Sequence, residues 1–420
     1  MNFLIHTLGC KVNTYESNVM RDLLNNHGLN EVKENTDIVI VNTCTVTNTS
    51  DSKSLKIIKH YIKENPNCIM IVCGCFSQIN PDRLKGIDGV SIVLGNKNKS
   101  KIIDYIEEYK RTNKQIIDVA PLDDTKFECM KLNNFNMTRA YVKIEDGCEN
   151  FCSFCIIPYS RGKVRSKPME DVLEEVNTLV NNGHKEIVLT GIHTGHYGAD
   201  LSYDFSDLLT EICKIEELER LRISSIEITE LDDKFLKVLE DNKKIVDHLH
   251  VPLQAGCDQT LSDMNRKYDM AYFKDIINKI RKVRPNISFT TDVIVGFPGE
   301  TEEHFNITVN NIKEIGFSKI HVFPFSLRRG TKAETMKNHI DGTTKKKRVH
   351  TLLEVSKELE IKYMSLFAGK KVEFLPEIKR DGYIIGHTGN YLLIKSKLNK
   401  PLNESIETTI KAINYPYCED

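Results

Sequence analysis

Three cysteines share one short run, Cys148-Glu149-Asn150-Phe151-Cys152-Ser153-Phe154-Cys155. Spacings of four and three residues let three thiolates from a single loop converge on one inorganic cluster, and the β-prone run Ala140–Ile144 comes just before them. A structural zinc asks for a fourth ligand, usually from a second paired half-site, and no half-site of that spacing follows. Three thiolates on a four-iron cluster leave one iron open, and an open position is what coordination of a substrate or cofactor requires.

A second set is scattered along the chain. Cys10 stands in Leu8-Gly9-Cys10, Cys44 in Asn42-Thr43-Cys44 and Cys75 in Cys73-Gly74-Cys75. Each follows the carboxyl end of a different predicted parallel strand, and in a doubly wound sheet those ends share one edge, where ligands bind. The three can therefore meet in space. Cys73, next to the predicted strand Ile69–Val72, is expected to be structural, a small buried hydrophobe. Cys68, Cys129, Cys213, Cys257 and Cys418 have no partner spacing and are read as structural. The chain has 12 cysteines and no secretion signal, which suits a reducing compartment in which thiols stay free for metals.

The elements that must position these residues divide the 420 residues unevenly. Short apolar runs alternate with helical patterns at the start: Phe3–Leu8, a helix from Tyr15 to Leu24, Ile38–Val41, a helix with Leu55, Ile58, Tyr61 and Ile62 on one face, Ile69–Val72 and Ile92–Leu94. That pattern predicts a doubly wound α/β domain over 1–112, with a polar, weakly periodic linker over 113–133. Longer β/α units follow over 134–366, with strands expected at Ala140–Ile144, Ile187–Thr190, Leu221–Ser224, His248–Val251, Ser288–Val293 and Ile320–Phe323. Six such units fit a partial parallel (β/α)6 barrel. A long amphipathic helix from Thr344 to Phe367 ends this part. The pattern over 367–420 is purely β and predicts a small all-β barrel.

A hydrophobic fraction of 40%, a charged fraction of 28% and a net charge of −1 describe a folded globular chain with no global nucleic-acid signature. Affinity for RNA must then come from local patches. Candidates are Arg328-Arg329, the run Lys345-Lys346-Lys347-Arg348, and Lys370, Lys371, Lys379, Arg380 and Tyr383 in the β segment. Such runs are as often a solvated helix face. No apolar run is long enough for a membrane helix, and residence in the cytoplasm is expected.

With these residues in view, the chain resembles the radical SAM methylthiotransferase family. The CxxxCxxC loop with Phe154 before its third cysteine is similar to the radical SAM signature, and Cys10, Cys44 and Cys75 are similar to the cysteines of that family's first domain. Further matching segments are Gly191-Ile192-His193-Thr194-Gly195, Val251-Pro252-Leu253-Gln254-Ala255-Gly256, Asp292 to Thr301, and Phe323-Pro324-Phe325-Ser326. The terminal β segment resembles the RNA-binding TRAM domain, though shorter than usual. Thr7-Leu8-Gly9-Cys10-Lys11-Val12-Asn13 and Asn42-Thr43-Cys44-Thr45-Val46-Thr47 resemble the branch acting on N6-threonylcarbamoyladenosine beside the anticodon of tRNA. The chain departs from the family at Cys73, where a small or hydroxyl residue is expected.

The resemblance implies two 4Fe-4S clusters and S-adenosylmethionine (SAM) as cofactors. Cys148, Cys152 and Cys155 would hold the cluster that chelates SAM, and Cys10, Cys44 and Cys75 an auxiliary cluster carrying the sulfur to be methylated. Two SAM molecules would be used per product, one as methyl donor and one as radical source. The implied partners are the anticodon arm of tRNA and a low-potential electron donor such as a flavodoxin or ferredoxin; the sulfur donor stays open. Thr190, Gly191, Ser224, Gln254 and Gly296, at predicted strand ends, are the candidate SAM contacts. His193 and His196 read as polar loop or substrate contacts, since the cysteines already account for the metal. Neighbouring readings are methylthiolation of isopentenyladenosine in tRNA or of a ribosomal-protein aspartate, and a non-catalytic iron-sulfur RNA-binding protein.

Overall fold

The computed structural model describes residues 1–122 and 126–420. Its first part is a six-stranded parallel sheet whose spatial order is Asn30–Glu31, Asn2–Thr7, Ile38–Thr43, Ile69–Gly74, Val90–Leu94 and Ile116–Asp118. Its central strands read as unbroken runs of Ile and Val because both faces are covered. Helices Lys11–Asn26 and Ile102–Thr112 cover one apolar layer and helix Asn48–Glu64 the other. Cys73 points into the first layer, among Ile5, Ile40, Ile71 and Ile92. Two details differ from the sequence reading. The helix expected from Tyr15 begins at Lys11, directly after Cys10, and strand Ile116–Asp118 extends the sheet into the stretch expected to be linker. Residues 123–125 of that stretch lie outside the described residues.

The central part is an arc of six parallel strands: Arg139–Lys143, Glu186–Thr190, Arg220–Ile223, His248–His250, Ser288–Val295 and Lys319–Pro324. Two three-stranded sheets form it. They are joined where Leu221 N donates to Lys244 O (2.7 Å) and Val246 N donates to Leu221 O (3.1 Å). Tyr15 of the first part is built into this core, its hydroxyl donating to Met130 O (2.7 Å) and to Glu175 (2.9 Å). Because the arc is not closed by pairing between its first and last strands, its interior is reached from the side, where the first part docks.

Helix Gly342–Ser365 packs on the last strand of the arc and leads into a six-stranded sheet over Lys371–Glu419. That sheet sits under the amino ends of the arc's strands, held by Arg139 to Glu377 (3.2 Å) and Arg220 to Glu373 (2.7 Å). Among the described residues no helix is long and apolar enough to cross a membrane.

Candidate functional site

The loop carrying Cys148, Cys152 and Cys155 leaves the carboxyl end of strand Arg139–Lys143. Gly147 has φ +101°, and a Cβ there would lie 1.9 Å from the Lys163 carbonyl oxygen, so only glycine lets the loop pass so close. Cys155 N donates to Cys152 O (2.9 Å), folding the third cysteine back on the second. Backbone bonds from Ser153 N to Met264 O (3.0 Å) and from Ala333 N to Ser153 O (2.7 Å) clamp the loop from both sides. Arg266 donates to Cys152 Sγ (3.2 Å) while pairing with Glu227, and His193 Nδ1 lies 3.8 Å from Cys148 Sγ. The other ring nitrogen of His193 meets Glu230, and His196 stacks on the ring at 3.8 Å.

Cys10, Cys44 and Cys75 come together at the carboxyl edge of the first sheet. Cys10 caps helix Lys11–Asn26, Cys44 follows strand Ile38–Thr43, and Cys75 opens the short helix Cys75–Ile79. A Cβ on Gly9 would stand 2.9 Å from Cys44 Cβ, which places the Cys10 turn directly against Cys44. Asn13 ties the two turns, its amide donating to Leu8 O (2.7 Å) and Thr43 O (3.0 Å).

Burial, with the neighbouring thiols adding to it, pushes Cys148 and Cys155 up to about 12 and Cys44 to about 11. Thiols so disposed become thiolates when a cation is among them, and among the described residues each group brings three cysteines. The donor chemistry fits a cluster with one open iron at either place.

A buried charge network, which sequence reasoning missed, stands beside the second triad. Arg161 has no solvent exposure; its Nε donates to Cys75 Sγ (3.3 Å), and its other nitrogens reach Glu16 (2.6 Å), Asn13 (2.7 Å) and Asp146 (3.3 Å). Lys143 bonds Glu16 (2.8 Å) and Asp146 (2.7 Å), Lys99 pairs with Glu16, and Arg165 lies 3.5 Å from Asp146. Four cations against two carboxylates leave two positive charges in excess, an environment that suits thiolate ligands. Glu16 is shared by three of these cations; burial alone would raise its carboxyl, but Arg161, Lys143 and Lys99 hold it well below the usual range. Helix Cys75–Ile79 packs against helix Ile157–Arg161, which begins two residues after Cys155, so one short helix links the two triads.

The five candidate SAM contacts are at carboxyl ends of the arc's strands or just beyond them. Thr190 ends its strand and is buried; a Cβ on Gly191 would lie 2.7 Å from a Glu145 carboxylate oxygen. Ser224 Oγ lies 3.4 Å from Thr194 Oγ1. Gln254 holds a left-handed φ of +63° beside Val293, and Gly296 N donates to the Glu300 carboxylate (2.5 Å). Glu145, which sequence reasoning also missed, is fully buried and accepts from His193 N (2.7 Å) through one oxygen, while the other has no hydrogen-bond partner among the described residues. Burial raises its carboxyl well above the usual range.

Two of the residues read as phosphate contacts are turned inward. Arg328 is buried and bonds Asp51 (2.9 Å), Asn48 (2.9 Å) and Thr45 (2.7 Å), fastening the arc to the first part; Arg348 is buried on Glu300 (2.7 Å). Arg329, Lys346, Lys347, Lys370, Lys371, Lys379 and Arg380 are exposed. The interior of the arc holds a cavity of 590 Å³, whose lining includes Gly9 and Lys11 of the first part and Tyr391 from a turn of the terminal sheet.

Comparison with known proteins agrees with this geometry. Residues 142–312 match the radical SAM superfamily, and residues 2–95 match a family described as uncharacterized protein family UPF0004. The chain is similar to the threonylcarbamoyladenosine tRNA methylthiotransferase MtaB of Bacillus subtilis, at 41% identity over 99% of this chain and 94% of that protein. Its similarity to the Thermotoga maritima protein of the same name is 38%, over 89% of this chain and 86% of that one. A tRNA-2-methylthio-N(6)-dimethylallyladenosine synthase of Clostridium botulinum is 35% identical over 89% of this chain and 86% of its own. In fold, the chain is similar to a radical SAM methyltransferase from Kitasatospora setae solved with cobalamin and a [4Fe-4S] cluster. The TM-score is 0.59 at 14% identity, over 79% of this chain and 76% of that one.

Proposed function

Because the chain belongs to the methylthiotransferase family of radical SAM enzymes, we propose that it methylthiolates C2 of N6-threonylcarbamoyladenosine, the base immediately 3′ of the anticodon in tRNA. The observation that carries this reading is the pair of separate three-thiol groups, each at the carboxyl edge of a parallel sheet and joined by one short helix packing.

Cys148, Cys152 and Cys155 hold the cluster that binds SAM, and Cys10, Cys44 and Cys75 hold the second cluster. When bound, the clusters and SAM supply the electron, the carbon radical, the sulfur and the methyl group of the reaction. The chain's residues supply position. Arg266 fixes Cys152 and Arg161 fixes Cys75 through N–H donation to sulfur. Thr190, Gly191, Ser224, Gln254 and Gly296 form the rim against which SAM lies, and His193, braced by Glu230, orders the loop beside Cys148. The arc's walls keep water and stray hydrogen donors from the reacting base.

The exposed bases Lys370, Lys371, Lys379 and Arg380 hold the anticodon arm through its phosphates, in the manner of a TRAM domain. A low-potential flavodoxin or ferredoxin supplies electrons, and the enzyme works in the cytoplasm. The test is mass spectrometry of tRNA nucleosides from deleted and complemented strains. Loss and return of the methylthio form of threonylcarbamoyladenosine is expected. Loss of the methylthio form of dimethylallyladenosine instead would move the chain to the substrate named for its C. botulinum relative.

A further inference from the structure

Most of the charge lining the cavity inside the arc is already paired. Arg222 is committed to Glu186 (2.6 Å) and to the carbonyls of Gly389 (3.1 Å) and Thr388 (3.4 Å). Arg139 is committed to Glu377 (3.2 Å) and the Tyr391 hydroxyl (3.4 Å). Asp292 stands 3.4 Å from His250, whose other nitrogen meets Thr290 (2.9 Å). Lys11 also lines the cavity; it is exposed, and among the described residues its amino group has no carboxylate, carbonyl or hydroxyl partner. It is also the residue directly after Cys10 and the first of helix Lys11–Asn26, so its backbone is fixed to the auxiliary triad.

An unpaired ammonium facing a polar cavity is a receptor for an anion. The volume, 590 Å³, suits one modified base rather than a duplex segment. The Tyr391 ring is held on several sides: it stacks on His248 and on His387, both at 4.5 Å, with the Arg222 guanidinium 4.9 Å from its ring centre. The remaining polar wall groups near the rim, Asp292 and His321, offer acceptors to O–H and N–H donors.

We propose that this cavity receives the N6 substituent of the substrate adenosine and that Lys11 pairs with the carboxylate of its threonyl group. The inference rests on the reading of the substrate given above and names the residue that makes the choice. A substituent carrying a carboxylate, a hydroxyl and N–H groups satisfies Lys11 and the acceptors together. An apolar dimethylallyl group would fill the same space and leave the ammonium desolvated and unpaired, at a cost that selects against it. Lys11 is thus a specificity-determining residue, one residue from a proposed cluster ligand. That closeness also places the threonyl end of the substituent beside the auxiliary triad.

The test uses the reconstituted enzyme and two synthetic anticodon stem-loops, one with threonylcarbamoyladenosine and one with its carboxylate masked as the neutral methyl ester. Wild type should prefer the free acid by about 100-fold in kcat/KM, the size expected of one charge-assisted contact in a partly buried site. Lys11→Met should bring the two substrates to within a few-fold of each other, and Lys11→Arg should keep the preference. Iron content and reductive release of 5′-deoxyadenosine, read in parallel, should match wild type in both variants. A Lys11→Met enzyme that keeps the wild-type ratio overturns the assignment, as does loss of the ratio in Lys11→Met and Lys11→Arg alike, which would make packing rather than charge the cause. If the variant instead needs more SAM on both substrates equally, Lys11 holds the SAM carboxylate and the proposal fails. Should Lys11→Met lose iron, Lys11→Gln is read in its place, with the same collapse of the ratio expected and an unchanged ratio overturning the assignment. A wild type that reacts with bare or dimethylallyl adenosine as fast as with the free acid would instead sink the substrate reading, whatever Lys11 does.

Discussion

The two cysteine groups, each proposed to hold a cluster, stand in opposite surroundings. The loop of Cys148, Cys152 and Cys155 is held mainly by backbone hydrogen bonds and aromatic packing, with Phe154 edge-on to Phe297 at 6.5 Å. Its wholly buried acid, Glu145, makes no ion pair among the described residues, and burial raises its carboxyl although Lys143 and Arg165 pull the other way. Cys10, Cys44 and Cys75 stand instead beside a buried salt-bridge network, in which Glu16 is held ionised by three cations. A site contained in one loop needs only its turns. A site assembled from three strand ends and a second domain needs something that fixes the domains against each other, and Arg161, bonded at once to Cys75, Glu16, Asn13 and Asp146, fills that place.

The largest effect that can test this contrast comes from emptying each triad. Alanine at Cys148, Cys152 and Cys155 should abolish reductive SAM cleavage, because the electron can reach SAM only through the cluster that binds it. Alanine at Cys10, Cys44 and Cys75 should leave SAM cleavage detectable and stop methylthiolation. Anaerobic iron analysis should give about eight irons for the intact enzyme and about four for either variant. Methylthio product from the second variant would show that the two groups do not divide the work.

Next in size is the network itself. Arg161→Leu leaves Glu16 and Asp146 short of a buried cation and should lower stability by about 3–5 kcal/mol, read as a shift of the denaturant midpoint under anaerobic conditions. Arg161→Lys should recover part of that, yet shift the spectroscopic signature of the auxiliary cluster, since the planar Nε–H on Cys75 is gone. A stable Arg161→Leu with an unchanged spectrum would reduce the network to incidental packing.

How much of this was legible follows the same division. The contiguous cysteines announced their loop by spacing, and the strand-end cysteines were legible because parallel strands put their carboxyl ends on one edge. Six strands of the arc were readable as apolar runs, whereas Ile116–Asp118 was not, being three residues long in a polar stretch. Glu16, Lys99, Lys143 and Arg161 lie far apart in sequence on ordinary-looking segments, so nothing local marks them as buried together. Arg328 and Arg348 were misread as phosphate contacts for the matching reason: a basic run does not disclose which of its members points inward to Asp51 or Glu300.

A smaller effect separates the two buried glutamates by pH. Glu145 is raised above its unfolded value, so the folded state holds a proton that the unfolded chain has released; stability falls as pH rises from about 4.5 toward the folded value. Glu145→Gln should therefore gain on wild type as pH is raised from about 5 to about 8. Glu16 is shifted the other way, so its contribution is present above about 4.5 and is lost only as pH falls through the depressed folded value. Glu16→Gln should be destabilised across the whole of that range. Parallel pH curves for the two variants would erase the electrostatic difference between the sites.

The smallest expected effect concerns Cys73, two residues before Cys75. Its side chain lies in the apolar layer under helices Lys11–Asn26 and Ile102–Thr112, and burial pushes its thiol up to about 12. Strand alternation turns it to the opposite face from Val72, away from the turn at Gly74 that delivers Cys75 to the edge. Cys73→Ala should keep its full iron content and cost ~1 kcal/mol for the small cavity it leaves. Halved iron in Cys73→Ala, with full iron in Cys75→Ala, would mean that the auxiliary site uses the other member of the pair. To stand where Cys75 stands, Cys73 would need the strand ending at Gly74 to slide by two residues, which keeps Ile71 and Val72 on their own faces but draws each out of register with its apolar layer in the first sheet.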